Sequence, residues 1–165
     1  MKQLALGISP PPQPTLDNFV PGANAELLAR LRELRAGSFR DSVLYLWGEA
    51  GSGKSHLLRA CAAAHAVDDV EKLDEAAQIG LFNAINEARQ SGGTVLAAGN
   101  APPAQLALRE GLKSRLAWGL VYQVKQLSDE QRSEYLRAEA ARRGMQLPDE
   151  VISYQIGRAS CRERV

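Results

Sequence analysis

Val43-Leu44-Tyr45-Leu46-Trp47-Gly48-Glu49-Ala50-Gly51-Ser52-Gly53-Lys54-Ser55 is the stretch that decides the fold. Five apolar residues of strand character lead into a loop that fills every fixed position of G-x-x-x-x-G-K-[ST], the phosphate-binding loop of nucleoside-triphosphate proteins. Such a loop wraps its own backbone N–H groups around phosphate oxygens, and side chains at Gly48, Gly51 and Gly53 would obstruct that wrapping. Lys54 is placed to reach the terminal phosphates as a point charge, and the Ser55 hydroxyl to ligate the Mg ion that neutralises them. Ser55 to His65 then reads as a helix whose N-terminal N–H groups add positive potential where the phosphates would sit. The competing reading is a glycine-rich turn with a chance lysine, and the strand before and helix after weigh against it.

Outside this stretch, composition sets the bounds. The 165 residues suffice for one domain with a real core, and 45% hydrophobic but 5% aromatic residues make that core aliphatic and alanine-rich. No apolar run approaches the roughly 20 residues of a membrane span and no signal-peptide pattern opens the chain, so a cytoplasmic protein without membrane partners is expected. A formal charge of +1 gives no reason to expect direct DNA binding. Cys61 and Cys161 are too few and unpatterned for a disulfide framework or a zinc site. Cys61 reads as a small core residue, and His56 and His65 as ordinary helix residues.

Pro10, Pro11, Pro12 and Pro14 exclude helix from residues 1–16 and predict an extended tail. Leu27, Leu28, Leu31 and Leu34 mark one face of a helix from Ala25 to Arg35, which Gly37 ends. A second amphipathic helix is predicted from Asp74 to Gln90, with Leu81, Phe82, Ile85 and Ala88 inward and Gly92-Gly93 as its stop. Thr94 to Ala98 and Leu120 to Val124 read as strands flanking a short helix at Leu112 to Leu116. Ser128 and Gln131 form a capping box for a helix through Arg142, ended by Gly144. Alternating strands and helices of these lengths predict an α/β domain of three layers with a mostly parallel sheet. Ala66-Val67-Asp68-Asp69 is the candidate acidic strand end facing the loop's Mg ion, with Asp68 on the metal side and Asp69 on the water side. A solvated helix start at Asp68, Asp69 and Glu71 fits the same residues.

Asp17-Asn18-Phe19-Val20-Pro21-Gly22-Ala23-Asn24, the phosphate loop, Val67 to Glu71, Asn100-Ala101-Pro102-Pro103, Leu112 to Gly119 and Leu127-Ser128-Asp129-Glu130, taken in order, resemble the AAA+ module of the DnaA superfamily. More closely they are similar to its regulatory inactivators of DnaA, over residues 3 to about 154. The resemblance implies bound ADP or ATP, with Phe19, Val20 and Asn24 bordering adenine and ribose; a staple and cap of the helix from Ala25 fits them equally. It implies that Asn100 is a polar sensor near the γ-phosphate, where a turn former before Ala-Pro-Pro is the alternative. Arg115 matches an arginine finger directed out of its own subunit at a neighbour's nucleotide, against the alternative of a surface arginine. Gln3, Leu4 and Leu6 resemble a short motif that docks on the replication sliding clamp, Gln3 at the pocket rim and the leucines in apolar subsites. The implied partners are the DnaA initiator, the clamp and a possible homo-oligomer. The implied divisions are a flexible tail at 1–16, the AAA+ nucleotide-binding domain at 17–126, a truncated helical lid at 127–155 and a non-native tail at 156–165.

The chain departs from the family in two places. Only 13 residues separate Ser55 from Asp68, so a block is expected to be missing near 65–66. On that spacing the sheet should lose strands from its middle, Asp68 should not reach Ser55, and intrinsic hydrolysis should be weak or absent. The segment from Ile156 to Val165 has no hydrophobic period, so the lid should stop near Tyr154. Three functions follow: an adaptor stimulating a partner's ATPase, a self-contained ATPase or initiator fragment, and an inactive remnant.

Overall fold

A computed structural model describes residues 12–162, with 158–162 given by backbone alone. Gln3, Leu4 and Leu6 lie outside the described residues.

The strand Val43–Trp47 (β1) presents its side chains to two buried clusters. Leu44 and Leu46 share one with the helices Ala25–Arg35 (α1) and Lys54–Cys61 (α2). Val43 and Tyr45 share the other with Glu75–Ser91 (α3) and Glu110–Leu116 (α4). A strand buried on both faces belongs at the centre of three layers. Accordingly β1 pairs in parallel with Val95–Gly99 (β3) on one side and Leu120–Gln123 (β4) on the other, and His65–Val67 (β2) adds to β3. The strand order is β2-β3-β1-β4. The fold is the expected three-layered α/β/α domain with a parallel sheet. Helices Asp129–Arg142 (α5) and Asp149–Arg162 (α6) follow, α5 opened by the expected capping box of Ser128 and Gln131.

Two expectations are corrected. The helix after the phosphate loop stops at Cys61 rather than His65, because Ala62 turns left-handed at φ 48°. His65 therefore begins β2 and is not a helix residue. At 1.5 Å per residue a helix of this length spans only about 12 Å, which leaves Ala62 to Ala64 for the turn and a short strand behind it. Because β2 sits at the sheet edge, the short spacing removes nothing from the middle, where β3, β1 and β4 are contiguous. The second correction is that α6 runs unbroken through most of 156–165, a segment expected to be irregular. Ile152 is buried and Ile156 half-buried, an i,i+4 pair that suffices to orient one helix face. Helix α6 thus continues past Tyr154 to Arg162.

Gly119 allows β4 to enter beside β1, because a Cβ there would run into the Val43 carbonyl. Gly119→Ala is expected to destabilise the fold by about 3 kcal/mol, the upper range for overpacking a core. The measurement is a urea titration, in which the midpoint should fall at unchanged slope.

Candidate phosphate-loop site

Parallel pairing brings the carboxyl ends of the strands to one edge, where open α/β sheets hold their ligands. Trp47 stands opposite Gly99 and Val67 opposite Ala97, so Gly48, Asp68 and Asn100 all emerge at that edge. Val124 closes the other side, its N–H donating to the Trp47 carbonyl at 2.7 Å.

The loop itself needs its glycines. Gly51 and Gly53 have φ of 78° and 99°, in the left-handed region that other residues reach only with strain. A Cβ on Gly53 would also stand 2.7 Å from Phe19 Cε2. Lys54 Nζ donates to the carbonyls of Gly48 at 2.7 Å and Glu49 at 2.9 Å, arching over the loop. Ser52 is 6% exposed, and among the described residues its Oγ is a buried side-chain atom without a hydrogen-bond partner. An unmet buried hydroxyl costs about 1–3 kcal/mol, and inside a phosphate loop at the start of α2 an anion's oxygen is the partner that would meet it. The residues present therefore fit a phosphate group.

A cavity of about 220 Å³ continues from Gly51 to Gly53 and is walled by Phe19, Val20 and Asn24. The three residues linked to a base and ribose are thus brought together beside the loop. Phe19 packs against the His56 ring with centroids 5.5 Å apart, and His56 Nε2 lies 2.9 Å from the Thr15 carbonyl oxygen. Asn24 is 3% exposed and both its side-chain polar atoms are engaged. Its Nδ2 donates to the Lys125 carbonyl at 2.8 Å and its Oδ1 accepts from the Lys125 N–H at 2.8 Å. Its side chain makes no capping bond to α1, so it clamps that helix to the segment after β4.

Ser55 Oγ donates to Asp68 Oδ2, which overturns the expectation that Asp68 could not reach Ser55. The early stop of α2 and the edge position of β2 are the reason. Asp69 behaves differently: its backbone is left-handed at φ 49°, and its carboxylate pairs with Lys72 at 2.7 Å. Asn100 is exposed, and its N–H donates to Glu71 Oε2 at 3.3 Å. Behind it Tyr45 Oη donates to the Ala101 carbonyl at 2.8 Å, and burial pushes this phenol well above its usual pKa. Among the described residues no cluster of three or more His, Cys, Asp or Glu could hold a metal. Mg at Ser55 and Asp68 would therefore need phosphate oxygens to complete its ligands.

Arg115 lies elsewhere. It precedes β4 by a few residues and so sits toward the amino ends of the strands, across the sheet from the phosphate loop. Its Nε donates to Asn86 Oδ1 at 2.8 Å and its Nη1 to the Gly111 carbonyl at 3.1 Å. The guanidinium stands 3.7 Å from the Phe82 ring centroid and 4.9 Å from that of Trp118. It is thus folded onto its own chain.

An uncharacterized protein of Haemophilus influenzae is 31% identical over 193 residues, a match covering 95% of this chain and 83% of that protein. The chain belongs to that protein's family. Since 95% of 165 residues is about 157, about 36 of the matched positions have no counterpart in this member of the family. No family model matches the chain. Domain III of the Thermotoga maritima replication initiation protein DnaA superposes with a TM-score of 0.71 at 22% identity, over 88% of this chain and 80% of that one. AMPPCP-bound DnaA from Aquifex aeolicus gives 0.73 at 21% identity, over 87% of this chain and 60% of that one. The family member described here therefore has the AAA+ fold of the DnaA nucleotide-binding domain. Among the described residues no helix is long and apolar enough to cross a membrane.

Sequence reasoning missed Lys125, Gln126, Arg132 and Tyr135, which approach the loop from beyond β4. Lys125, Arg132 and Tyr135 line the cavity, and Gln126 Nε2 donates to the Ala50 carbonyl at 3.0 Å. No local pattern marks them, although the capping box at Ser128 fixes where α5 starts and hence which of its residues face inward. Asn24→Ala removes both bonds to Lys125 and is expected to cost about 2 kcal/mol, because it strands a backbone donor and acceptor. Chemical denaturation measures the cost, and Asn24→Asp should recover none of it, because it sets a buried carboxylate oxygen against the Lys125 carbonyl while keeping only the acceptor for the Lys125 N–H.

Proposed function

We propose that this chain is a nucleotide-bound AAA+ regulator of replication initiation, resembling Hda, the regulatory inactivator of DnaA. In this reading ADP or ATP with Mg sits at Gly48 to Ser55, Gln3, Leu4 and Leu6 tether the chain to the sliding clamp, and Arg115 acts on ATP held by the DnaA initiator. The observation that carries it is the separation of two devices on one sheet. The phosphate loop and Asp68 occupy the carboxyl edge, whereas Arg115 sits toward the opposite edge and cannot serve its own loop. An arginine so placed can meet a nucleotide only across an interface, with the initiator or within a homo-oligomer.

Within the chain's own site Lys54, drawn off the Gly48 and Glu49 carbonyls, would bind the terminal phosphates, and Ser52 Oγ would donate to a phosphate oxygen. Mg, when bound, would neutralise phosphate charge from Ser55 and Asp68. Asn100, which follows β3 at the same carboxyl edge and whose N–H donates to Glu71, would contact a terminal phosphate in this reading. Asp69 pairs with Lys72, an engagement that would hinder it from orienting water and would favour slow intrinsic hydrolysis. The adenine nucleotide agrees with the AMPPCP carried by the Aquifex DnaA structure, and cytoplasmic location follows from the replication role.

Arg115→Ala should abolish stimulation of ATP hydrolysis by DnaA in the presence of clamp, while ADP binding by the variant stays at the wild-type level. Undiminished stimulation would sink the finger assignment. A second reading, a self-sufficient ATPase, is favoured by Asp68 standing at Ser55. Its signature is steady turnover of ATP by the purified chain alone, lost in Lys54→Ala. Turnover near background supports the regulator.

A further inference from the structure

Helix α3 turns Phe82, Asn86 and Arg89 to one side, at i, i+4 and i+7. Phe82 and Asn86 hold Arg115, while the Arg89 guanidinium stands 4.4 Å from the centroid of the Trp118 ring, which Arg115 approaches to 4.9 Å. Two guanidinium groups are thus gathered about one indole that is 42% exposed. Among the described residues neither has a carboxylate within ion-pair distance, because Glu75 of α3 pairs with Arg109 and Glu110 of α4 with Lys113. Glu87, two residues before Arg89, projects from another side of α3. Like charges this close repel each other, and an anion that met them would relieve the repulsion.

We propose that Arg89 and Trp118 form, beside Arg115, a docking surface for carboxylate groups on the protein that holds the nucleotide. This rests on reading Arg115 as a finger that works across an interface. Charge decides which kind of partner fits. Helices α3 and α4 together carry the acids Glu75, Glu87 and Glu110 and the bases Arg89, Lys113 and Arg115, so the face has no net charge to draw the continuous phosphate backbone of a nucleic acid. Arg89 is instead a local, directed cation of the kind that takes a carboxylate through two parallel hydrogen bonds. A nucleotide-holding edge built like this chain's own offers such a group, since Glu49 in the phosphate loop is exposed. The indole orients the Arg89 guanidinium before the partner arrives, which lowers the ordering cost of docking. Trp and Arg are also the side chains that most often dominate binding energy at protein interfaces. When Arg115 departs for a nucleotide, Arg89 stays on the ring, so affinity for the partner and the chemistry done on it fall to different residues.

The test is direct binding of ATP-loaded DnaA to the full chain with clamp present, at two salt concentrations, beside the stimulation of ATP hydrolysis, for wild type, Arg89→Ala, Arg89→Gln and Arg89→Glu. Arg89→Ala should weaken binding about tenfold, as loss of a hot-spot side chain does, and Arg89→Glu by more. The loss should appear as a higher concentration for half-maximal stimulation and not as a lower rate at saturation. Added salt should weaken the wild type more than Arg89→Ala. Arg89→Gln keeps a polar stem without the charge and carries the comparison should the alanine variant fold poorly. Wild-type affinity in both Arg89→Gln and Arg89→Glu overturns the proposal, as does a fall in the saturating rate at unchanged affinity. Competition by a single-stranded oligonucleotide that is lost in Arg89→Glu assigns the face to nucleic acid and overturns it as well. Binding that depends on Arg89 but brings no stimulation by the wild-type chain supports the surface and overturns the finger reading instead.

Discussion

The register of β1 against β3 is the constraint on which the site depends. With Trp47 opposite Gly99, the phosphate loop and the Asn100 turn leave the sheet side by side, and a slip of one residue would turn their side chains to the other face. The register is held from behind. Tyr45 projects from β1 into the core shared with α3 and α4, and its hydroxyl reaches the Ala101 carbonyl just past the end of β3. That reach needs Gly99, where any Cβ would collide with the Tyr45 hydroxyl and come within 2.9 Å of Val70 Cγ2. Tyr45 and Gly99 thus fix the height at which the two strands end. A buried phenol with a good acceptor is rigid, because losing that bond would leave an unmet polar group in an apolar layer.

The edge strand is attached to this frame with little chain to spare. Eight helical residues, a left-handed turn at Ala62 and three strand residues are all that join the phosphate loop to Asp68. The arrangement works because β2 needs only to pair with β3, three residues against Val95, Leu96 and Ala97. An edge strand this short carries few exposed backbone groups, which limits unwanted pairing with other chains. The about 36 positions matched in the Haemophilus protein and lacking here are thus compatible with an intact centre of the sheet, provided they fall beside its edge.

What could be read from the residues divides along the same line. The phosphate loop, β1, α1, α3 and the capping box of α5 are local patterns, and each stands where its pattern put it. The reach of Asp68 is not legible in the residues, because the stop at Ala62 uses alanine in a conformation usually marked by glycine, and a helix carried on to His65 leaves too little chain. The partners of Asn24 lie 101 residues away, and Arg132 and Gln126 meet Ala50 only through the fold. No spacing rule reaches such distances. The helix through 156–162 escaped for another reason: two isoleucines one turn apart orient it, and two residues do not make a period.

The restraint on Arg115 has to be weighed against what a finger in trans would supply. Contacts of a guanidinium with partly exposed rings are worth about 0.5–1 kcal/mol each, and its two hydrogen bonds about 1 kcal/mol each at most when half-exposed. Phe82, Trp118, Asn86 and Gly111 together therefore hold it by about 3 kcal/mol, which leaves the released rotamer below one per cent. An arginine finger contributes a factor of about 10³–10⁵, or roughly 4–7 kcal/mol, to phosphoryl transfer. The gain exceeds the restraint only when developing phosphate charge is in reach. In the proposed role the guanidinium would stay on its own chain until a partner presented a nucleotide, and the two rings and Asn86 would set the threshold at which it left.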